Sequence, residues 1–137
     1  MVAGDSGARS YNSITLTYQN KRPVTDQISW LCITSSPTAE TNALANTDCP
    51  FGLRAQIQMQ TCWNGVDLYK LDNSHVAHLS GIDGGDCPPT HLYQFVHIFI
   101  ETLYGVDDVP KEQGERFLRS TGDPTGYSLH VDFQNGW

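Results

Sequence analysis

GDPTGYSLHVDFQNGW, which spans residues 122–137, is the most informative segment of this sequence for the fold. Asp123-Pro124 predicts a tight turn, because proline fixes one backbone angle and the neighbouring glycines allow the conformations that a turn needs. Apolar and polar residues then alternate: Tyr127, Leu129, Val131 and Phe133 alternate with Ser128, His130, Asp132 and Gln134. This period of two indicates a β-strand with one buried face.

His130 and Asp132 share the polar face of this predicted strand, roughly 7 Å apart along it. A general base and a carboxylate that orients it can be arranged in this way, and so can two metal ligands. The alternative is an ordinary solvated strand face that carries one histidine and one aspartate. Spacing alone favours the solvated face.

Further strands are predicted upstream by runs of β-branched and aromatic residues. They cover residues 14–18, 28–33, 53–60, 91–104 and 116–120, and polar loops rich in Gly, Pro, Ser and Asn separate them, the longest at 34–50. No segment has a convincing amphipathic helical pattern. The sequence therefore predicts a single β-rich domain over residues 1–137, an antiparallel β-sandwich or jelly-roll-like fold with long loops.

Composition limits the classes of partner. The chain has 137 residues, a formal net charge of −7 and only 8 basic residues, which are scattered. A nucleic-acid-binding protein would need a basic surface, so we predict no nucleic-acid partner. No apolar run reaches the length of a membrane helix, so we predict no membrane partner. Acidic character suits a site for neutral sugars or cations better than a site for polyanions.

The four cysteines, Cys32, Cys49, Cys62 and Cys87, form no C-x-x-C pair. An even count in a lysine-poor chain indicates two disulfides and an oxidising compartment. Three connectivities are possible, and we favour Cys32–Cys49 and Cys62–Cys87 because each pair brackets a loop-like segment. The first residues lack an apolar signal segment, so we expect a mature chain or a piece of a longer one.

The segment Leu53–Gln60 alternates regularly, with Arg54 and Gln56 on its polar face. Arginine and glutamine offer paired hydrogen-bonding groups to sugar hydroxyls, so these two residues are candidates for a substrate groove. The alternative is that they solvate the strand.

Several segments together resemble a large fungal family of secreted proteins, catalogued as a domain of unknown function and often found beside WSC-type wall-binding modules. The matching segments are residues 1–5, 49–56, 62–65, 74–75, 85–88, 90–91 and 122–137. The family's domain usually extends further upstream, so this chain resembles the C-terminal half of the family pattern. It also differs by having Gln60-Thr61 before the Cys-Trp pair and the shorter run Asp72-Asn73-Ser74-His75.

The resemblance implies a secreted, extracellular protein associated with cell-wall polysaccharide. It also singles out His75, His91 and His130 as a candidate catalytic cluster beside Asp132, with Arg54 and Gln56 lining a groove. The same three histidines are the candidate ligands of a divalent metal. The alternative is that they are framework residues, hydrogen-bonded to hold loops against the sheet.

Two function classes follow from these observations. One is a glycan-active hydrolase or lyase that uses the His/Asp cluster as acid and base. The other is a non-catalytic carbohydrate-binding or structural protein, in which exposed rings stack on sugars and copies assemble through sheet edges. The candidate rings are Trp63, Tyr93, Tyr127 and Trp137.

Overall fold

The computed structural model describes residues 2–5, 7–44, 49–107, 117–119, 123 and 125–130. The chain divides into two compact units. Unit 1 comprises Met1–Tyr11, Ile28–Ile57 and Glu101–Trp137, and unit 2 comprises Asn12–Gln27 and Gln58–Ile100.

The described residues contain short strands and two 3₁₀ turns, Tyr18–Asn20 and Val24–Gln27. The strands are β1 Val2–Gly4, β2 Ile28–Cys32, β3 Leu53–Gln58, β4 Cys62–Trp63, β5 Val76–Ala77, β6 Tyr93–Gln94, β7 Phe99–Tyr104 and β8 Ser128–His130. They form three sheets with the orders β1-β8, β2-β3-β7 and β5-β4-β6. The pairings β1–β8, β2–β3, β4–β5 and β4–β6 are antiparallel.

The core of unit 1 is built on the β2–β3 pair. Ile28 lies opposite Ile57 and Trp30 lies opposite Ala55, and all four side chains are buried. Antiparallel partners on one face bring their Cβ atoms close together, so these pairs form one continuous apolar layer. The indole nitrogen of Trp30 donates a hydrogen bond to the carbonyl oxygen of Gly126 at 3.0 Å, which satisfies the polar edge of this buried ring.

The core of unit 2 contains both apolar and polar side chains. Ile82 and Leu79 are buried beside the fully buried Cys62 and Thr61. The hydroxyl of Thr17 donates to the carbonyl oxygen of Ser80, and so fixes the segment before the first 3₁₀ turn. Buried polar groups are stable only when paired, and these bonds provide the pairing.

The predicted disulfide pairing is confirmed. Cys32 is bonded to Cys49 in unit 1, and Cys62 is bonded to Cys87 in unit 2. Each bridge closes a long polar loop and so reduces the entropy of the unfolded chain by an amount worth about 3 kcal/mol. The two bridges also indicate an oxidising compartment.

Two strand predictions need correction. Residues 14–18 do not form a strand: Leu16 makes one isolated bridge, to Pro23, and the chain then enters a 3₁₀ turn. Proline cannot donate a ladder hydrogen bond, and Gln19 and Asn20 adopt positive φ angles of 61° and 54°, which no strand tolerates.

The predicted strand over residues 91–104 is divided into β6 and β7. β6 pairs with β4, whereas β7 lies beside β3 in another sheet. The chain changes its partner between them, where Phe95 N donates to Thr61 O and Met59 N donates to Ile98 O, both at 3.0 Å. A change of partner strand depends on tertiary pairing, so the pattern of apolar residues in the sequence does not predict it.

The prediction of a mainly β chain with antiparallel sheets, long loops and two disulfides is therefore confirmed. The stacking of the sheets into a sandwich stays a prediction. The predicted strand over residues 116–120 falls partly outside the described residues, and residues 117–119 are not in a strand. None of the helices in the described part of the chain is long and apolar enough to cross a membrane.

Replacing Gly4 by alanine is expected to destabilise the protein by at least about 2 kcal/mol. Gly4 has a φ of 84°, and a Cβ there would collide with the carbonyl oxygen of Tyr127 and lie 2.8 Å from Ser128 Cα. The collision would separate β1 from β8. Urea unfolding followed by tryptophan fluorescence measures the change. Gly84→Ala is the matched control, because a Cβ at Gly84 meets no atom within 4 Å; equal effects of the two substitutions would contradict this account.

His78 predicts a pH dependence of stability. Its side chain is buried, and its Nε2 lies 2.6 Å from the Gln27 Oε1, to which the neutral ring donates. Burial first, and His97 second, lower the pKa of His78 from 6.5 to about 4. The unfolded chain therefore binds a proton between these pH values that the folded chain does not bind. Stability is fully present above pH 6.5 and falls by up to about 3 kcal/mol as the pH approaches 4.

Unfolding free energies measured between pH 7 and pH 4 test this expectation by comparison with His78→Gln. The variant removes the titrating ring, whereas the carboxylates, which also titrate in this range, are common to both proteins. The slope against pH should therefore be shallower in the variant. Identical slopes would show that His78 does not contribute.

Candidate functional site

The loop that follows β4 in unit 2 is held by one side chain, that of Asn64. Its Oδ1 accepts hydrogen bonds from the backbone nitrogens of Val66 and Asp67, both at 3.0 Å, and its Nδ2 donates to Asp67 Oδ2 at 2.8 Å. Gly65 adopts a φ of 79°, which glycine accommodates without strain. Asn64-Gly65 thus forms a turn, as Asn-Gly pairs commonly do, and the turn fixes the residues on both sides of it.

Trp63 and Tyr93 form a pair of rings beside this turn, which we call the ring platform. The two residues lie directly opposite each other on β4 and β6, with their ring centroids 5.7 Å apart and their planes tilted by 52°. The Trp63 indole donates to the carbonyl oxygen of Asp67 at 2.6 Å. The Tyr93 ring lies so close to the Gly65 Cα that a side chain at Gly65 would collide with it, yet 61% of Tyr93 is exposed.

Charged and polar groups adjoin the ring platform. Lys70 Nζ lies 3.0 Å from Asp67 Oδ2. The hydrogen bond from Lys70, followed by the one from Asn64, lowers the pKa of the half-buried Asp67 carboxyl. The carboxylate therefore stays ionised under all physiological conditions and is available as a hydrogen-bond acceptor at the protein surface.

His75 contacts the loop that carries Lys70 and the Asn64 turn. Its Nδ1 accepts a hydrogen bond from the backbone nitrogen of Lys70 at 3.2 Å, and its ring meets the Tyr69 ring edge-on with centroids 5.9 Å apart. The carbonyl oxygen of His75 accepts from Asn64 N at 3.1 Å. His75 therefore connects the Asn64 turn to the segment before β5.

His91 makes two hydrogen bonds, one to the neighbouring Thr90 and one to Ser74 in an earlier loop. Its Nε2 lies 3.1 Å from the carbonyl oxygen of Ser74, and its Nδ1 lies 2.9 Å from the Thr90 hydroxyl. A carbonyl oxygen can only accept, so Nε2 donates to Ser74, whereas the Thr90 hydroxyl is able to pair with Nδ1 as donor or acceptor. Both nitrogens are thus engaged with neighbouring groups.

The structure therefore brings Trp63, His75 and His91 together in unit 2 as a hydrogen-bonded framework. Asp72 belongs to the same framework: the backbone nitrogen of Ser74, and then its hydroxyl, lower the pKa of this carboxyl. Two of the three histidines of the predicted cluster hold loops in place. That is the role that the framework alternative assigned to them.

His130 lies in unit 1, at the end of β8, and is exposed. Its partner across the sheet is Val2. Asp132, the other half of the predicted acid–base pair, and Trp137 lie outside the described residues, so the His130/Asp132 pair stays a prediction. Tyr127, a predicted sugar-binding residue, is half-buried, and its carbonyl oxygen accepts from Asp5 N at 3.1 Å.

Arg54 is held between two carboxylates in unit 1. Its terminal nitrogens lie 3.2 Å from Glu40 Oε1 and 3.3 Å from Glu101 Oε1. A guanidinium with two such partners is electrostatically neutralised before any ligand arrives. The sequence did not predict either carboxylate as a partner of Arg54. Glu40 lies in the long loop, and only the pairing of strands brings Glu101 to Arg54.

The predicted outward orientation of Gln56 is wrong. Its side chain is buried, and its Oε1 accepts a hydrogen bond from the Ser29 hydroxyl at 3.3 Å across the β2–β3 pair. β3 is the centre strand of its sheet, so neighbouring strands flank it on both sides. A buried glutamine is unsuited to a sugar groove.

No group of three or more His, Cys, Asp or Glu side chains in the described part of the chain is arranged to hold a metal ion. The divalent-metal site that the sequence suggested at His75, His91 and His130 has no counterpart there. Asp67 and Lys70 were not among the residues predicted from the sequence. The signal for them was their spacing of three residues directly after an Asn-Gly turn.

One comparison with known proteins identifies the family. No curated protein and no solved structure matches the chain at a significant level. The model of the family described as a domain of unknown function (DUF1996) matches residues 1–137, the full length of this sequence. The chain is therefore a member of the DUF1996 family.

Proposed function

We propose that this protein is a non-catalytic carbohydrate-binding module whose binding surface is the ring platform of Trp63 and Tyr93. The observation that carries the proposal is the exposed Tyr93 ring, which contacts the Trp63 ring. The Trp63 indole is itself held by its hydrogen bond to the Asp67 carbonyl oxygen. Adjoining aromatic rings at the surface mark a binding site more often than a single exposed ring does.

Aromatic rings suit sugars because a pyranose has an apolar face of C–H groups and a polar rim of hydroxyls. Tyrosine and tryptophan offer a large contact area with few rotatable bonds, so little conformational entropy is lost on binding. The hydrogen bond from Trp63 to Asp67 and the close approach of Gly65 to Tyr93 hold the rings in place before the ligand arrives. Preorganisation of this kind increases affinity.

The polar neighbours of the ring platform supply the complementary hydrogen bonds. The Asp67 carboxylate accepts from hydroxyls, and the Lys70 ammonium donates to them. Because these two charges neutralise each other and the chain carries a net charge of −7, the site favours a neutral glycan over an acidic one.

A binding role fits the histidines better than a catalytic role does. His75 accepts from the Lys70 backbone, and His91 is engaged through both ring nitrogens. A general base needs a ring nitrogen within reach of a substrate proton. Arg54, the predicted ligand for sugar hydroxyls or carboxylates, is already occupied by Glu40 and Glu101.

The setting we propose is extracellular. The two disulfides suit a secreted protein, and the family resemblance suggests fungal cell-wall polysaccharide as the ligand. The Cys62–Cys87 bridge would keep the loops of unit 2 around the ring platform ordered outside the cell.

Tyr93→Ala is expected to weaken binding to an insoluble neutral glycan by roughly tenfold, because it removes the exposed half of the platform. Tyr93→Phe should retain most of the affinity, since the stacking face remains. The measurement is a binding isotherm for the purified protein on chitin, β-1,3-glucan and cellulose, from the fraction left in the supernatant.

Phe51→Ala is the matched control. Phe51 is 62% exposed, almost the same as Tyr93 at 61%, but it lies in unit 1. Its loss should leave the isotherm unchanged. Equal weakening by both alanine variants would indicate non-specific adsorption and contradict the proposal. Sustained release of reducing sugar ends from any of these glycans would contradict the non-catalytic role.

A further inference from the structure

Unit 1 contains a pocket of about 320 Å³ that the proposed sugar site does not use. Three aromatic residues, Trp30, Tyr104 and Phe117, contribute to its walls. Pockets that bind small molecules begin at about 300 Å³ and are mostly apolar with a few polar groups. This pocket is therefore large enough for a single ring or a short alkyl chain, and too small for an extended polymer.

The rest of the wall is mostly aliphatic. Leu44, Leu53 and Val106 line the pocket together with the rings. The polar edge of Trp30 is not available to a ligand, because its indole nitrogen already donates to Gly126 O. A ligand body in this pocket meets mainly carbon atoms, so it has to be apolar.

Arg119 is the charged residue of the lining. It takes part in none of the ion pairs formed among the described residues, in contrast to Arg54, which has two carboxylate partners. An arginine beside an apolar wall is a strong point of attraction for an anion, because low polarity strengthens charge interactions. The planar guanidinium also matches both oxygens of a carboxylate.

Asp123, which follows Arg119 by four positions, uses its carboxylate within its own turn. Its carboxylate accepts from Thr125 N at 2.8 Å, from the Thr125 hydroxyl at 2.6 Å and from Gly126 N at 3.2 Å. Burial opposes its ionisation, but these hydrogen bonds outweigh burial and lower its pKa, with a small contribution from Arg119. The Asp123 carboxylate thus has a structural role in the turn.

The turn that contains Asp123, Thr125 and Gly126 also holds two residues of the pocket wall, Leu44 and Trp30, in place. Leu44 N donates to Thr125 O at 2.9 Å. Gly126 has a φ of 72°, and a Cβ there would lie 2.7 Å from the Trp30 indole nitrogen and 3.0 Å from Leu44 Cβ. Only glycine allows these two walls to approach so closely, so the pocket is a built feature of the fold.

We propose that this pocket binds a small monocarboxylate with an apolar body, whose acid group pairs with Arg119 and whose body lies against Trp30 and the aliphatic wall. The body is a ring or a short alkyl chain. The proposal is independent of the carbohydrate-binding role, because its residues all belong to unit 1.

The test uses two matched pairs of probes on the intact, disulfide-bonded protein. 3-Phenylpropionate is compared with 3-phenylpropanol, and octanoate is compared with octanol, by calorimetry and by tryptophan fluorescence. Within each pair the body is constant and only the acid group changes. We expect at least one carboxylate to bind roughly ten- to hundredfold more tightly than its alcohol, as a charge-assisted hydrogen bond implies. The probe pair whose carboxylate binds more tightly shows whether the pocket prefers a ring or an alkyl chain.

Variants assign the binding to named groups. Arg119→Gln should reduce the affinity for the carboxylate to that of the alcohol, whereas Arg119→Lys should retain part of the difference. Val106→Trp should fill the pocket and abolish binding of acid and alcohol alike. Lys21→Gln removes one positive charge from the exposed surface of unit 2 and should change nothing. A melting temperature for each variant confirms that it folds.

Three outcomes would overturn the proposal. They are equal affinity for the acid and the alcohol in both pairs, binding that is unaffected by Arg119→Gln, and no binding of either carboxylate at roughly 1 mM, the weak end of specific affinities. Loss of sugar binding in the Tyr93→Ala variant has no bearing on these outcomes, so failure of one proposal is distinguishable from failure of the other.

Discussion

The disulfide between Cys62 and Cys87 is the constraint on which the proposed binding surface depends. It fixes β4, the centre strand of the β5-β4-β6 sheet, with the Cys62 sulfur fully buried. Successive residues of a strand point to opposite faces, so the buried Cys62 directs Trp63 outward. The other end of the bridge anchors the segment that carries His91, which then reaches the Ser74 carbonyl oxygen. One covalent bond thus positions both a ring and its supporting loop.

Much of the framework could be predicted from local sequence. The strand β3, the Asn64-Gly65 turn and the pairing of Cys62 with Cys87 follow from short-range patterns, and the structure contains all three. The burial of Gln56 could not be predicted in this way. Its polarity places it on the outer face of a strand, and only the identity of the neighbouring strands reveals that β3 is central. The division of residues 91–104 has the same origin, since β6 and β7 find their partners in two strands that are distant in the sequence, β4 and β3.

The candidate site illustrates a second limit. The family resemblance pointed to the histidines as a catalytic cluster, yet His75 and His91 bond to backbone groups of unit 2. Short polar-to-backbone bonds of this kind are the commonest fate of side-chain donors and acceptors in folded proteins. The two arginines also show that residue type alone does not predict a role. Arg54 is neutralised by its neighbours and Arg119 lines an apolar pocket, and residue type alone does not distinguish them.

The distribution of apolar side chains supports a binding role for exposed loops in unit 2. Leu68 is 91% exposed and Tyr69 is 70% exposed in the loop beside the ring platform. Such a loop gains little stability from burial and is ordered instead by Asn64 and by the bonds to His75. A chain of this size has a limited core, so apolar surface that stays exposed lowers stability relative to what the sequence could achieve. Disulfides offset that loss by destabilising the unfolded state, without requiring the rings to be buried. We therefore regard the bridges and the exposed rings as parts of one arrangement, in which covalent stabilisation leaves aromatic surface free to bind.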